Sequence, residues 1–245
     1  MAAFRRLVSA ALCAGLLSGI LAWVAHQIGT VPLILEAESY EAAAQHVSAH
    51  AHGATAAHED TTPGWEPETR IERALYTLAA DLLSAIGFAL LLSAGLTVRG
   101  GAVSWREGLF WGLAGFATFT LAPGLGLPPE LPGSEAAPLA GRQLWWLATT
   151  VATGGALALI AFTRRPGYAI LAAILIVAPH LYGAPQPAGH AAAAPEALTH
   201  RFVVAAALVS LLFWLALGAS TGYFYRRFAP RNGQRSERNP RAKPE

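Results

Sequence analysis

The chain has 245 residues, of which 54% are hydrophobic and 13% charged. Soluble domains carry about 25% charged residues, and the apolar residues here arrive in long blocks, which excludes a water-soluble core and points to membrane spans. The formal net charge of +2 decides little, whereas a single cysteine, Cys13, excludes disulfides, CxxC redox chemistry and Cys-rich metal sites.

Arg5 and Arg6 precede an apolar run starting at Leu7, the arrangement with which a signal peptide begins. No cleavage site follows. A cut after Ala25 would put Trp23 where a small residue is required, and Leu12 before Cys13 does not fit a lipidation site. The segment is expected to remain as a first span. Crossing about 30 Å of hydrocarbon takes roughly 20 helical residues, and six stretches approach that length, near 7–28, 74–97, 108–127, 143–163, 168–183 and 202–225. The fifth is short and ends at Pro179 and His180, so five complete spans are the alternative. The predicted fold is all-α, one multi-pass transmembrane helical bundle over residues 1–225 with a His/Glu-rich loop at 36–70. A basic tail at 226–245 has the composition of a disordered segment.

Orientation follows from positive charge. With the N-terminus inside, Arg5, Arg6, Arg99, Arg106, Arg164, Arg165, Arg226, Arg227, Arg231, Arg235, Arg238, Arg241 and Lys243 share the cytoplasmic side. Only Arg70, Arg73, Arg142 and Arg201 remain outside. This bias fits an even number of spans and places both termini in the cytoplasm. Glu36, Glu38, Glu41, Glu59, Asp60, Glu66, Glu68, Glu72, Glu130, Glu135 and Glu196 then all lie outside, on a face that attracts cations or merely solvates the protein. Gly15 with Gly19, and Gly112 with Gly115, suit close helix packing.

Three features bear on chemistry. His46, His50, His52 and His58 lie among Glu36, Glu38, Glu41, Glu59 and Asp60 in the first loop, and imidazole with carboxylate suits cobalt, nickel or zinc. A helix would place His46 and His50 on one face; an Ala/His-rich loop without a fixed site is the plainer reading. Ionisable groups within spans usually face a bundle interior or a water-filled path. His180, Asp81 and His26 stand about 18, 25 and 30 Å from the cytoplasmic ends of their spans, at 1.5 Å per residue. Each also has a plainer reading, as a helix end, as a partner of Arg70 or Arg73, and as an interfacial residue. Finally, Pro123, Pro128, Pro129 and Pro132 predict that a straight helix does not persist beyond Ala122, leaving free carbonyls beside Glu130. The stretch 178–187 repeats that pattern after the fifth span, and two broken ends on one side suggest a shared vestibule, with capping turns as the alternative.

The chain lacks a GxxxxGK[ST] nucleotide loop, so it does not itself drive transport with ATP, and it lacks HExxH and GxSxG patterns of intramembrane hydrolysis. No enzymatic activity is expected. Two rival functions remain open. One is a redox subunit with His26 and His180 as axial haem ligands, although their depths differ by about 12 Å. The other is a structural or assembly subunit that moves no ion.

Several segments resemble a known family: Val31–Glu38 (VPLILEAE), Trp65–Glu68 (WEPE), Glu72–Leu78 (ERALYTL), Leu127–Gly133 (LPPELPG), Arg142–Leu147 (RQLWWL) and Pro179–Pro187 (PHLYGAPQP). They are similar to those of the predicted cobalt transporter subunit CbtA, over nearly the whole chain up to Tyr225. The resemblance implies a multi-pass protein of the bacterial cytoplasmic (inner) membrane, usually given five spans. It also implies cobalt import linked to cobalamin biosynthesis and a small single-span, His-bearing companion, CbtB. Lipid, the divalent metal ion and that companion are the expected partners, with no nucleic acid among them. Co²⁺, or Ni²⁺ or Zn²⁺, is expected as cargo, with no permanently bound cofactor. The resemblance assigns no site residues. From the sequence itself, the candidate metal ligands are Glu36, Glu38, His46, His50, His52, His58, Asp81, Glu130 and His180.

Overall fold

The computed structural model describes residues 1–51, 67, 69–101, 103–163, 165–189 and 192–229. The described residues contain no strand, only an isolated bridge between Ser134 and Ala192. The helices are α1 (Ala2–Gly29), α2 (Val31–Ala51), α3 (Arg70–Arg99), α4 (Trp105–Phe116), a π segment (Ala117–Leu121), α5 (Ala122–Gly126), α6 (Leu139–Phe162), α7 (Pro166–Tyr182) and α8 (Glu196–Arg227). Five helices are long and apolar enough to cross a membrane: α1, α3, the run Trp105–Gly126, α6 and α8. The shorter apolar α7 has 17 residues, as the truncated fifth stretch in the sequence predicts. The chain is therefore an all-α membrane protein.

Two stretches depart from expectation. The sequence predicts a loop from residue 36, yet α2 continues to Ala51. Its Ala, Glu and Gln are strong helix formers, and polar residues all along it hide it from a search for spans. Residues 52–66 and 68, with His52 and His58, lie outside the described residues, as does the tail from residue 230. The second departure is at Pro123, where the helix continues to Gly126 rather than breaking. It does so by changing register: the Ala122 N–H bonds to the Ala117 carbonyl, five residues back, and Pro123 falls in the first turn of α5. A proline at that position loses no hydrogen bond within the new turn. The helix stops at Leu127, and Pro128, Pro129 and Pro132 follow outside it.

The chain divides into two compact units. The first comprises Met1–Trp23, Tyr76–Leu113 and Leu211–Glu245, and the second Val24–Leu75 and Ala114–Ser210. In the first, α4 and α8 cross through glycine. A Cβ on Gly112 would stand 2.2 Å from the Trp214 carbonyl oxygen, and one on Gly218 would stand 2.3 Å from that of Gly108. Only glycine permits such an approach. Gly15 and Gly19 of α1 likewise lie against Ile86 and Leu82 of α3, as expected of small residues at that spacing. A core of Ala10, Leu96, Val103 and Tyr225 closes the unit. The Tyr225 ring lies 3.8 Å beneath the Arg6 guanidinium, and its hydroxyl bonds Thr97 at 2.9 Å. Ser18 and Ser220 join α1 to α8 through a buried hydroxyl pair at 3.2 Å.

The second unit has a different core, in which Leu33 and Ala37 of α2 meet Leu131, Ala194, Leu198 and Phe202. Ile34 packs against the same cluster. Its α6 and α7 form an antiparallel pair joined at residues 163–165.

Candidate functional site

The second unit carries most of the candidate ligands, and its loops and helix ends fix them. At the corner between α1 and α2, Thr30 donates its N–H to the His26 carbonyl, and its own carbonyl accepts from the N–H groups of Leu33 and Ile34. The Thr30 hydroxyl sits 2.9 Å from His26 Nδ1 and 3.3 Å from the His26 carbonyl oxygen. When that hydroxyl gives its proton to the carbonyl, the ring donates from Nδ1 and keeps the Nε2 lone pair.

Along α2, Glu36 is exposed and its carbonyl accepts the Ser39 hydroxyl. Glu38 accepts from Arg73. His46 is exposed, and His50 lies on the same helix, one turn further on. Glu130, at the start of the loop after α5, pairs with Arg142 at 3.2 Å.

His180 has the most structured surroundings. Trp145 of α6 donates its indole N–H to the Pro179 carbonyl at 3.2 Å. The same carbonyl accepts the Gly183 N–H that ends α7. The indole meets the His180 ring edge-on, with centroids 5.8 Å apart at 74°. Gly126 makes room for that indole, since a Cβ there would stand 2.3 Å from Trp145 and 3.0 Å from Ala184. Trp145 thereby brings the end of α5 and the end of α7 together, the two broken helix ends that the sequence placed on one side. Gly183, at φ +89°, turns the chain away immediately after α7.

Asp81 belongs to the first unit, half-buried on α3, with its backbone against Gly19 of α1. Among the described residues no three His, Cys, Asp or Glu side chains come together as a metal cage. The role of Trp145 is not visible from composition, although the Trp-Trp pair in RQLWWL marks its position.

A family model described as probable cobalt transporter subunit (CbtA) matches residues 4–226. The chain belongs to the CbtA family. The match runs from the first turn of α1 to the last turn of α8, so it reaches every helix among the described residues of this CbtA chain. No curated protein and no solved structure matches the chain.

Proposed function

We propose that this CbtA protein takes part in cobalt import across the bacterial cytoplasmic membrane, in support of cobalamin synthesis. Both termini lie inside, α2 and the loops after α5 and α7 lie outside, and a small single-span subunit of the CbtB kind is the partner. The observation that carries this reading is the family match over residues 4–226. The ion is cargo: no resident cofactor and no catalytic step are proposed. His46, His50, His52 and His58, with Glu36 and Glu38, gather Co²⁺; Glu130 and His180 receive it; and Asp81 is the candidate ligand within a span.

Two of these carboxylates already hold arginines. Their pairs are only partly buried, with side-chain exposures of 39% and 36% for Arg73–Glu38 and 33% for both members of Arg142–Glu130. Such pairs contribute about 0–1 kcal/mol, so a divalent ion can displace the guanidinium at small cost. Affinity alone does not select cobalt at nitrogen and oxygen ligands, which assigns selectivity to geometry, supply or the partner.

The test is uptake of radioactive cobalt, nickel and zinc by cobalt-starved cells with and without the chain. Cobalt uptake that depends on the chain is expected, reduced in His180→Ala at unchanged membrane abundance. Equal cobalt uptake in both strains would sink the proposal. Uptake by the chain reconstituted alone would separate a conducting subunit from a scaffold.

A further inference from the structure

The first unit collects arginine at one end, and the cobalt reading makes no use of it. Among the described residues this unit has six Lys/Arg, all of them arginine: Arg5, Arg6, Arg99, Arg106, Arg226 and Arg227. Packing brings them together. The Arg6 guanidinium donates to the Tyr225 carbonyl at 2.7 Å and lies over the Tyr225 ring, which sets the start of α1 on the end of α8. The connection from α3 to α4 docks at the same place, since Leu96 and Val103 share a core with Ala10 and Tyr225. A Cβ on Gly222 would stand 2.6 Å from the Ser104 carbonyl oxygen, so α4 begins against α8 one turn before Arg226. Arg99, in the last turn of α3, reaches Glu107 in the first turn of α4 at 2.9 Å. The starts of α1 and α4 and the finishes of α3 and α8 are thereby tied into one end.

The charge at that end is largely unspent. Glu107 is the one acid there among the described residues, since Asp81 stands about 27 Å back along α3 from Arg99, at 1.5 Å per residue. Glu107 takes Arg99, and Tyr225 holds Arg6. Arg5, Arg106, Arg226 and Arg227 remain exposed, with no ion pair among the described residues. Helix stability explains only part of this. Arg226 and Arg227 favour the negative end of the α8 dipole, but Arg5 and Arg106 stand at helix starts, where positive charge is unfavourable. The same end exposes aromatic rings, with Phe4 at 68%, Trp105 at 49% and Tyr223 at 55%. The Arg106 guanidinium lies 5.4 Å from the Trp105 ring centre. Aromatic rings of this kind sit at the headgroup level of a bilayer, and basic clusters between the ends of membrane helices hold anionic headgroups. Guanidinium presents paired donors that match phosphate oxygens. A soluble anion needs no apolar surroundings, so the exposed rings favour lipid as the source of the phosphate.

We propose that this end of the first unit, with Arg5, Arg106, Arg226 and Arg227 beside Trp105, binds the phosphate of an anionic phospholipid. The occupant neutralises like charges that the packing of α1, α3, α4 and α8 forces together, and so steadies the helix ends on which the unit closes. No candidate cobalt ligand takes part, and the inference does not depend on the cobalt reading.

The probe is dioleoyl phosphatidylglycerol, added to the full chain in a neutral detergent, with dioleoyl phosphatidylcholine and inorganic phosphate as separate arms at equal ionic strength. Bound lipid is counted by native mass spectrometry, and stability is followed as Tm. The expected result is a saturable rise in Tm with phosphatidylglycerol alone, and phosphatidylglycerol retained on the chain in preference to phosphatidylcholine. Arg106→Gln is expected to weaken that binding about fivefold, the share of one arginine near an anionic surface, at unchanged Tm in phosphatidylcholine. Arg5→Gln, on a different helix, is expected to do the same. Arg165→Gln removes an exposed charge from the second unit and should leave binding as it was. Equal responses to the two lipids overturn the proposal, as does binding undiminished in both Arg106→Gln and Arg5→Gln. A rise with inorganic phosphate as large as with lipid overturns it by making the patch a soluble-anion site. So does a loss in Arg165→Gln equal to that in Arg106→Gln, which reduces the patch to general surface charge. Failure of cobalt uptake leaves these outcomes untouched.

Discussion

The first unit packs backbone against backbone, whereas the second packs side chains around loops and helix ends. In the first, Gly112 and Gly218 bring α4 and α8 into contact, and hydroxyls of Ser18, Ser220, Thr97 and Tyr225 bond one another. In the second, Leu33, Leu131 and Phe202 make the core; partly exposed ion pairs occur in both, Arg99–Glu107 in the first and Arg73–Glu38 and Arg142–Glu130 in the second. All eight histidines fall in the sequence ranges of the second unit and none in those of the first. The same ranges carry eleven Lys/Arg against four Asp/Glu in the first unit, and six against eleven in the second. The glycine contacts and most of the candidate ligands thus fall in different parts of one chain, with Asp81 the exception.

The largest expected effect is in the first unit. Gly218→Ala places a methyl 2.3 Å from the Gly108 oxygen and 2.7 Å from Gly112 Cα, backbone atoms that cannot rotate aside. A loss of about 3 kcal/mol is expected, seen as a missing monodisperse peak in size-exclusion chromatography. A stable, well-folded variant would break the contrast at its strongest point.

Two tyrosine- and tryptophan-to-phenylalanine changes sharpen it. Tyr225→Phe removes the hydroxyl bond to Thr97, and Trp145→Phe removes the bond to the Pro179 carbonyl. Each is expected to cost about 1 kcal/mol, measured as a drop in Tm. Only Trp145→Phe should also lower cobalt uptake, because only it loosens the surroundings of His180. Parallel uptake in the two variants would show that the division is not functional. The smallest stability effect belongs to Glu130→Gln, about 0.5 kcal/mol or less for a partly exposed pair. Its reduction of cobalt uptake at unchanged Tm would be the purest signature of the second unit.

The sequence made the spans legible because hydropathy over some 20 residues is a physical requirement of crossing lipid. It showed the Gly15/Gly19 and Gly112 contacts for the same kind of reason, since close approach admits few residue types. It did not show α2, whose Glu, Gln and Ala favour helix without the greasy length that marks a span. Nor did it show the π register: Pro123 signalled trouble, but whether a helix stops or shifts by one hydrogen bond depends on what packs against it. Ligand types were readable from residue chemistry, while their neighbours were not. The Glu38–Arg73 pair joins positions 35 residues apart, and no local pattern announces such a contact.

The reliance of the first unit on α8 has a consequence for biogenesis. Gly218, Ser220 and Tyr225 all belong to the last helix, and their partners lie on helices made about 100 to 200 residues earlier. The α6–α7 hairpin, by contrast, joins neighbours in the chain and can assemble as soon as both have entered the bilayer. During synthesis the early helices must therefore wait beside the insertion machinery with their glycine faces uncovered. A ribosome stalled before residue 211 would leave a chain whose first unit has nothing to close on, a substrate for membrane quality control rather than a partial transporter.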